Sequence, residues 1–160
     1  MALGANLPSN VGGPLATLSS ALAQMPSLGL QVVAVSPWYS TAAWPDPRAP
    51  RFVNGVARLT TRLTPSQIMG RLLDLESAFG RCRQERNAPR TIDLDLLAYD
   101  DRVCRQESPV GLVLPHPRMH ERRFVLLPLC DIAADWIHPG LKVSAKSLLN
   151  RLPEDDCARL

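Results

Sequence analysis

A chain of 160 residues is long enough for one domain with its own apolar core and short for two. Eighteen basic against fifteen acidic residues leave a net charge of +3, too small for composition alone to indicate a nucleic-acid binder. The four cysteines, Cys82, Cys104, Cys130 and Cys157, form no CxxC pair and no apolar run approaches the roughly 18 residues of a membrane span, which excludes a zinc ribbon, a disulfide framework and a membrane helix and predicts a reduced, cytoplasmic protein.

The opening Met1-Ala2-Leu3-Gly4-Ala5-Asn6-Leu7 reads as the end of a strand, apparently truncated, followed by a Gly/Asn turn, and carries no signal-peptide pattern. After Gly13-Pro14, Leu15, Leu18, Leu22 and Met25 recur at helical spacing up to Pro26. Residues 30–36 are short and rich in β-branched side chains, a strand pattern. Residues 37–51 hold four prolines with Trp38, Tyr39 and Trp44 and no period, which predicts a long ordered loop. A strand over 52–61 alternates Phe52, Asn54, Val56 and Arg58 with Val53, Gly55, Ala57 and Leu59. The clearest helix follows: Thr64 as N-cap, Pro65 in the first turn, apolar Ile68, Leu72, Leu75 and Phe79, and Gly80 as the stop.

Residues 91–99 read as a strand with Ile92, Leu94 and Leu96 on one face and Asp93, Asp95 and Leu97 on the other. A polar turn near 100–102 precedes a short strand that ends in the rigid corner Pro115-His116-Pro117. Residues 124–129 fit a helix or a strand, 132–139 a loop, and 144–152 a last helix. The order strand, helix, strand, loop, strand, helix, strand is that of a ferredoxin-like βαββαβ fold of the α+β class, in which an antiparallel sheet carries its helices on one face and leaves the other free for ligands. One domain over 1–160 is expected.

Chemistry concentrates in residues 81–95. Arg81, Arg83, Arg86 and Arg90 face only Glu85 in their own segment, a local balance of +3 that equals the total for the chain. Asp93 and Asp95, two apart on a strand, have Cα atoms about 6–7 Å apart and can reach one hard cation together or bridge two. Read singly, an isolated D-x-D is more often a solvated strand face and an arginine run an idle basic loop. Their adjacency favours a polyphosphate held between arginine forks and magnesium, in a transfer that needs positioning and charge neutralisation rather than a nucleophilic side chain. No G-x-S-x-G, Walker A or H-E-x-x-H pattern competes. Glu76, one turn before Gly80, reads equally as a residue facing this site or as a solvent-exposed helix acid. Phe52 and Asn54 share a strand face suited to a flat heterocycle, with Trp44 and Phe124 as further ring contacts; taken alone, each aromatic is more often core.

Taken together, the motifs resemble the 6-hydroxymethyl-7,8-dihydropterin pyrophosphokinases of folate biosynthesis. Gly4-Ala5-Asn6-Leu7 is similar to the family's opening G-S-N-L. Tyr39-Ser40-Thr41 and Phe52-Val53-Asn54 resemble its pterin-side segments, and Gly80-Arg81-Cys82-Arg83 with 88–96 resembles G-R-x-R and G-P-R-x-x-D-L-D. Pro115-His116-Pro117, Arg122, residues 124–129 and Ile132-Ala133 complete the likeness. It implies transfer of pyrophosphate from ATP to the pterin hydroxymethyl group with release of AMP. By the same resemblance Asp93 and Asp95 bind two magnesium ions, Arg81 and Arg90 stabilise the moving group, and Glu76, Arg83, Arg86, Leu96, His116 and Arg122 line the ATP site. Phe52 and Phe124 sandwich the pterin, Asn54 bonds its edge, and the segment of Thr41, Ala42 and Trp44 contacts it. The sequence departs from the family at Ala42-Ala43, where prolines are common, at Ala5 and Ala88, and at Asn87, where some members carry a tryptophan. The expected partners are ATP and the pterin, acting on a monomer without nucleic acid or membrane. Two alternatives are a ferredoxin-like RNA-binding module, disfavoured by aspartates where such modules carry stacking aromatics, and a nucleotide-sensing domain without catalysis.

Overall fold

The computed structural model describes residues 1–81, 88–107 and 111–160. Its elements are β1 (Ala2–Ala5), α1 (Pro14–Gln24), β2 (Gln31–Val35), β3 (Tyr39–Thr41), β4 (Phe52–Thr60), α2 (Pro65–Ala78), β5 (Asp93–Asp95), β6 (Cys104–Glu107), β7 (Leu112–Leu114), α3 (Arg123–Ala133), α4 (Ala145–Leu149) and β8 (Ala158–Arg159), with 3-10 turns at Met25–Leu28 and Met119–Glu121. Among the described residues no helix is long and apolar enough to cross a membrane.

One antiparallel sheet runs in the order β5-β1-β4-β3-β8, and β2 lies beside β4 in line with β3. β4 is long enough to hold both: β3 pairs Phe52 to Asn54 and β2 pairs Ala57 to Thr60 along the same edge. Ser36 bridges the gap, its amide donating to Val56 O at 2.9 Å and its hydroxyl accepting from Val56 N at 3.0 Å. Gly55 makes room there, because a Cβ on it would lie 2.7 Å from the Trp38 ring. β3 falls inside the segment expected to be one long loop. Its three residues are too few for a period to register, and what makes them a strand is pairing with β4 across the chain.

The helices follow their sequence signals. α2 has a reciprocal capping box, in which Thr64 Oγ1 accepts from Gln67 N and Gln67 Oε1 accepts from Thr64 N. Gly80 ends the helix at φ 76°, where a side chain would be strained. Leu18, Met25, Leu72, Phe79, Leu3 and Leu94 pack α1 and α2 onto one face of the sheet in the larger of two cores. The undecided segment 124–129 is helical, as part of α3, although Pro128 removes one internal hydrogen bond.

Two further expectations differ from the structure. The sheet face opposite α1 and α2 is only partly free: α3 and α4 cover half of it in a second core of Val56, Leu97, Val125, Leu126, Leu129 and Leu148. The strand expected over 91–99 is confined to β5, Asp93–Asp95, because its partner β1 begins at Ala2, opposite Asp95. The polar turn after it leads into the hairpin of β6 and β7, whose first strand carried no clear pattern.

Candidate active site

The uncovered half of that second face is built by alternation. Gly4 on β1, Phe52 and Asn54 on β4, and Asp93 and Asp95 on β5 point one way, while their neighbours Leu3, Val53 and Leu94 point into the larger core. Gly4 lies at the junction. A Cβ there would stand 3.1 Å from Asn54 Oδ1 and 4.0 Å from both Asp93 Cβ and Phe52 Cδ1, so glycine on β1 lets groups from the two flanking strands converge on one surface.

Charged groups gather at the β5 side. Arg81 Nη1 is 2.7 Å from Asp93 Oδ1 and also grips Glu76 Oε1, and Arg90 Nη1 donates to Asp93 Oδ2 at 2.8 Å. Arg122 Nη1 lies 3.7 Å from Asp95 Oδ2. Glu76 is 3% exposed, which decides against the solvent-exposed helix acid: its Oε1 accepts from Leu94 N at 2.7 Å, tying α2 to β5. Burial pushes the Glu76 carboxyl up, against the pull of the Leu94 amide and Arg81. Burial and then the nearby Asp95 charge push Asp93 up as well, against Arg90 and Arg81. A cation between the two carboxylates would relieve that repulsion.

Arg90 is positioned by a residue that sequence reasoning did not assign to the site. Asn6, 3% exposed, accepts from Arg90 N through Oδ1 at 2.7 Å, donates its own amide to Arg90 O at 3.1 Å and its Nδ2 to Pro50 O at 2.9 Å. The signal lies in Gly4-Ala5-Asn6-Leu7, legible as a Gly/Asn turn and as similar to the family's opening motif, neither of which gives Asn6 a role of its own. On the ring side, Asn54 Nδ2 donates to Thr41 Oγ1 at 2.8 Å, and both residues are buried. The Arg90 guanidinium lies over the Phe52 ring at 5.8 Å and that of Arg122 over Phe124 at 5.7 Å. His116 is held by its amide to Leu97 O at 2.7 Å and accepts from Arg118 N through Nδ1. Burial lowers its pKa, with Arg122 and Arg118 adding to the effect and Asp95 opposing it.

Not every predicted residue joins this cluster. Arg83 and Arg86 lie outside the described residues, as does Asn87. The Leu96 side chain is 7% exposed in the larger core, on the face away from Asp93 and Asp95, and lines a separate groove of about 330 Å³ between β4 and residues 96–100. Only its main chain is left to face the site. Trp44 stands 74% exposed on the 42–51 loop, and Ala42 at the start of that loop is half-buried.

Among the described residues no group of three or more His, Cys, Asp or Glu is placed to hold a metal ion. Asp93 and Asp95, two carboxylates on one strand face, are the residues that would hold a cation there. That suits magnesium, which keeps several waters and is commonly held by one or two carboxylates together with substrate phosphates.

Comparisons with known proteins give the family of the chain. Residues 1–134 match the family model described as 7,8-dihydro-6-hydroxymethylpterin-pyrophosphokinase (HPPK). The chain is 39% identical over 152 residues to a 2-amino-4-hydroxy-6-hydroxymethyldihydropteridine pyrophosphokinase of Synechocystis, covering 94% of this chain and 74% of that one. It is 41% identical over 135 residues to a protein of the same name from Methylorubrum extorquens, covering 84% of each. A crystal structure of Plasmodium falciparum HPPK-DHPS superposes with a TM-score of 0.67 at 14% identity, over 94% of this chain and 42% of that larger one, a likeness of fold. The chain belongs to the 7,8-dihydro-6-hydroxymethylpterin-pyrophosphokinase family.

Proposed function

We propose that this chain transfers the pyrophosphoryl group of ATP to the hydroxymethyl oxygen of 6-hydroxymethyl-7,8-dihydropterin, releasing AMP, as a step in folate biosynthesis. The observation that carries the reading is the convergence on one sheet face of Asp93, Asp95, Arg81, Arg90 and Arg122 beside Asn54, Phe52 and Phe124. A polyphosphate site and a ring site lie next to each other, as transfer between ATP and a heterocycle requires.

In the reaction the hydroxymethyl oxygen attacks the β-phosphorus, the α,β-bridging bond breaks with its oxygen leaving on AMP, and the hydroxyl proton passes to solvent. Asp93 and Asp95 would hold magnesium, two ions in our reading, which would supply charge neutralisation along the phosphates. Arg81 and Arg90, which pair with Asp93 in the free protein, would stabilise charge on the transferred group. Their planar forks then follow the charge as it develops. Arg83, Arg86, Arg122 and His116 are assigned to ATP, with Leu96 contributing main chain. Glu76 orients Arg81 from beneath. Asn54, oriented by Thr41, bonds the pterin edge, Phe52 and Phe124 stack on it, and the segment of Ala42 and Trp44 closes over it. These roles are proposals for each residue.

The sheet order, with every neighbouring pair antiparallel and α1 and α2 on one face, supports a ferredoxin-like fold to which α3 and α4 are added. Residues 1–160 are read as one domain. We read the working unit as a monomer, and the scattered cysteines without CxxC pairs fit the cytoplasm. The RNA-binding and nucleotide-sensing alternatives draw no support from the relatives, which are named as enzymes. Incubation with ATP, magnesium and the hydroxymethyl pterin should yield AMP in step with pterin consumed. ADP, or no product, would overturn the activity.

A further inference from the structure

The match to the family model ends at residue 134, yet the last residues of the sequence return to the ring side of the site. β8 adds to the outer edge of β3, with Ala158 opposite Ser40 and Arg159 opposite Tyr39, and Leu160 N donates to Trp38 O at 2.9 Å. Just before β8, the Asp156 carboxylate accepts from Ala42 N at 3.1 Å and from Arg51 Nη1 at 2.7 Å. Arg51 completes a ring of contacts: Nη2 donates to Asp156 O at 3.1 Å and to Ser40 O at 3.3 Å, and Nε donates to Ser40 Oγ at 2.8 Å. Asp155 lies 3.6 Å from Arg123, the residue before Phe124.

These contacts enclose the 42–51 loop at both ends. Ala42 begins it, Arg51 ends it, and Asp156 holds both. Thr41 sits between the two pinned residues Ser40 and Ala42, and its hydroxyl is what orients the Asn54 carboxamide. An exposed ion pair of this kind adds little to stability, since solvent screens it and both side chains lose freedom. Its effect is geometric, because a guanidinium fork and a main-chain amide sharing one carboxylate fix the separation of the two loop ends.

We propose that Asp156 is a positioning residue for the ring substrate: by joining Ala42 to Arg51 it sets the entry of the 42–51 loop and, through Thr41, the orientation of Asn54. The inference rests on the pterin reading of that site. It separates the tail from the phosphate half of the site, so Asp156 governs pterin affinity and leaves ATP alone.

The test compares Asp156→Ala and Asp156→Asn with the wild type, by fluorescence titration of the hydroxymethyl pterin, by KM for ATP, by melting temperature, and by hydrogen exchange at the Ala42 amide without ligands. Asp156→Ala should weaken pterin binding about tenfold through loss of the charge-assisted contacts, with KM for ATP and the melting temperature unchanged. Asp156→Asn, which keeps an acceptor for Ala42 N, should fall between the two. Exchange at Ala42 should quicken in the alanine variant. Pterin affinity within about twofold of wild type would overturn the positioning role even if Ala42 exchanges faster, as would parallel losses in ATP affinity and melting temperature. Wild type that binds pterin but forms no AMP overturns the activity and leaves the strap to be judged by titration and exchange. Wild type that binds no pterin overturns both.

Discussion

The two faces of the central sheet are made by the same strands, and they differ in almost every physical respect. On the α1 and α2 face, Leu3, Leu94, Leu72 and Phe79 are buried in a dry apolar core. One residue along each strand, Gly4, Asn54, Asp93 and Asp95 form a polar surface on which three arginines converge. Alternation positions polar groups as directly as it delivers packing. A strand rigid enough to fix Leu94 in the core also fixes the carboxylates on either side of it. The two faces should therefore fail differently when broken.

The largest effect is expected for Asp95→Ala. Removing one of the two carboxylates proposed to hold the cation should lower the rate of AMP formation about a thousandfold, with little change in melting temperature. Leu94→Ala, the neighbour on the opposite face, should cost about 2–5 kcal/mol in denaturant unfolding while the fraction that stays folded turns over normally. If the two variants behaved alike, the division between faces would be wrong.

Gly4→Ala sharpens the boundary between phosphate and ring sites. Its Cβ would sit 3.1 Å from Asn54 Oδ1, tighter than ordinary contact, so Asn54 must shift. Pterin affinity should fall about tenfold, roughly the loss of one well-aligned hydrogen bond, while ATP binding changes less. Titration of each ligand separately checks this.

The smallest effect is one of pH. Burial lowers His116 and His138 below the ordinary 6.5, so the unfolded chain takes up protons before the folded one does. The stability this confers is present above 6.5 and is lost as pH falls from there through the folded values. Solvent screening keeps the slope shallow. Denaturant melts across that range should show the decline, and His138→Gln should flatten part of it.

Much of this was legible in the sequence where the signal is local. The alternation of Ile92, Leu94 and Leu96 with Asp93 and Asp95, and the Thr64, Pro65 and Gly80 boundaries of α2, rest on neighbouring residues. What escaped rests on partners far along the chain. β3 and β8 are three and two residues long and exist because β4 and β3 pair with them. Asn6 reaches Arg90 across 84 residues and Asp156 reaches Arg51 across 105, so no window along the sequence contains either contact. The cover that α3 and α4 give to half of the second face escaped because Leu-Leu-Pro-Leu reads equally as helix or strand until Val56 and Leu97 are seen beneath it.

In this reaction a β,γ-pyrophosphoryl unit moves intact. Supplying ATP labelled with radioactive phosphorus at the γ position, and in a parallel reaction at the α position, distinguishes this from every other transfer. Intact transfer puts γ-label on the pterin product and leaves α-label in AMP. γ-Label in free phosphate, or α-label in ADP, would contradict it.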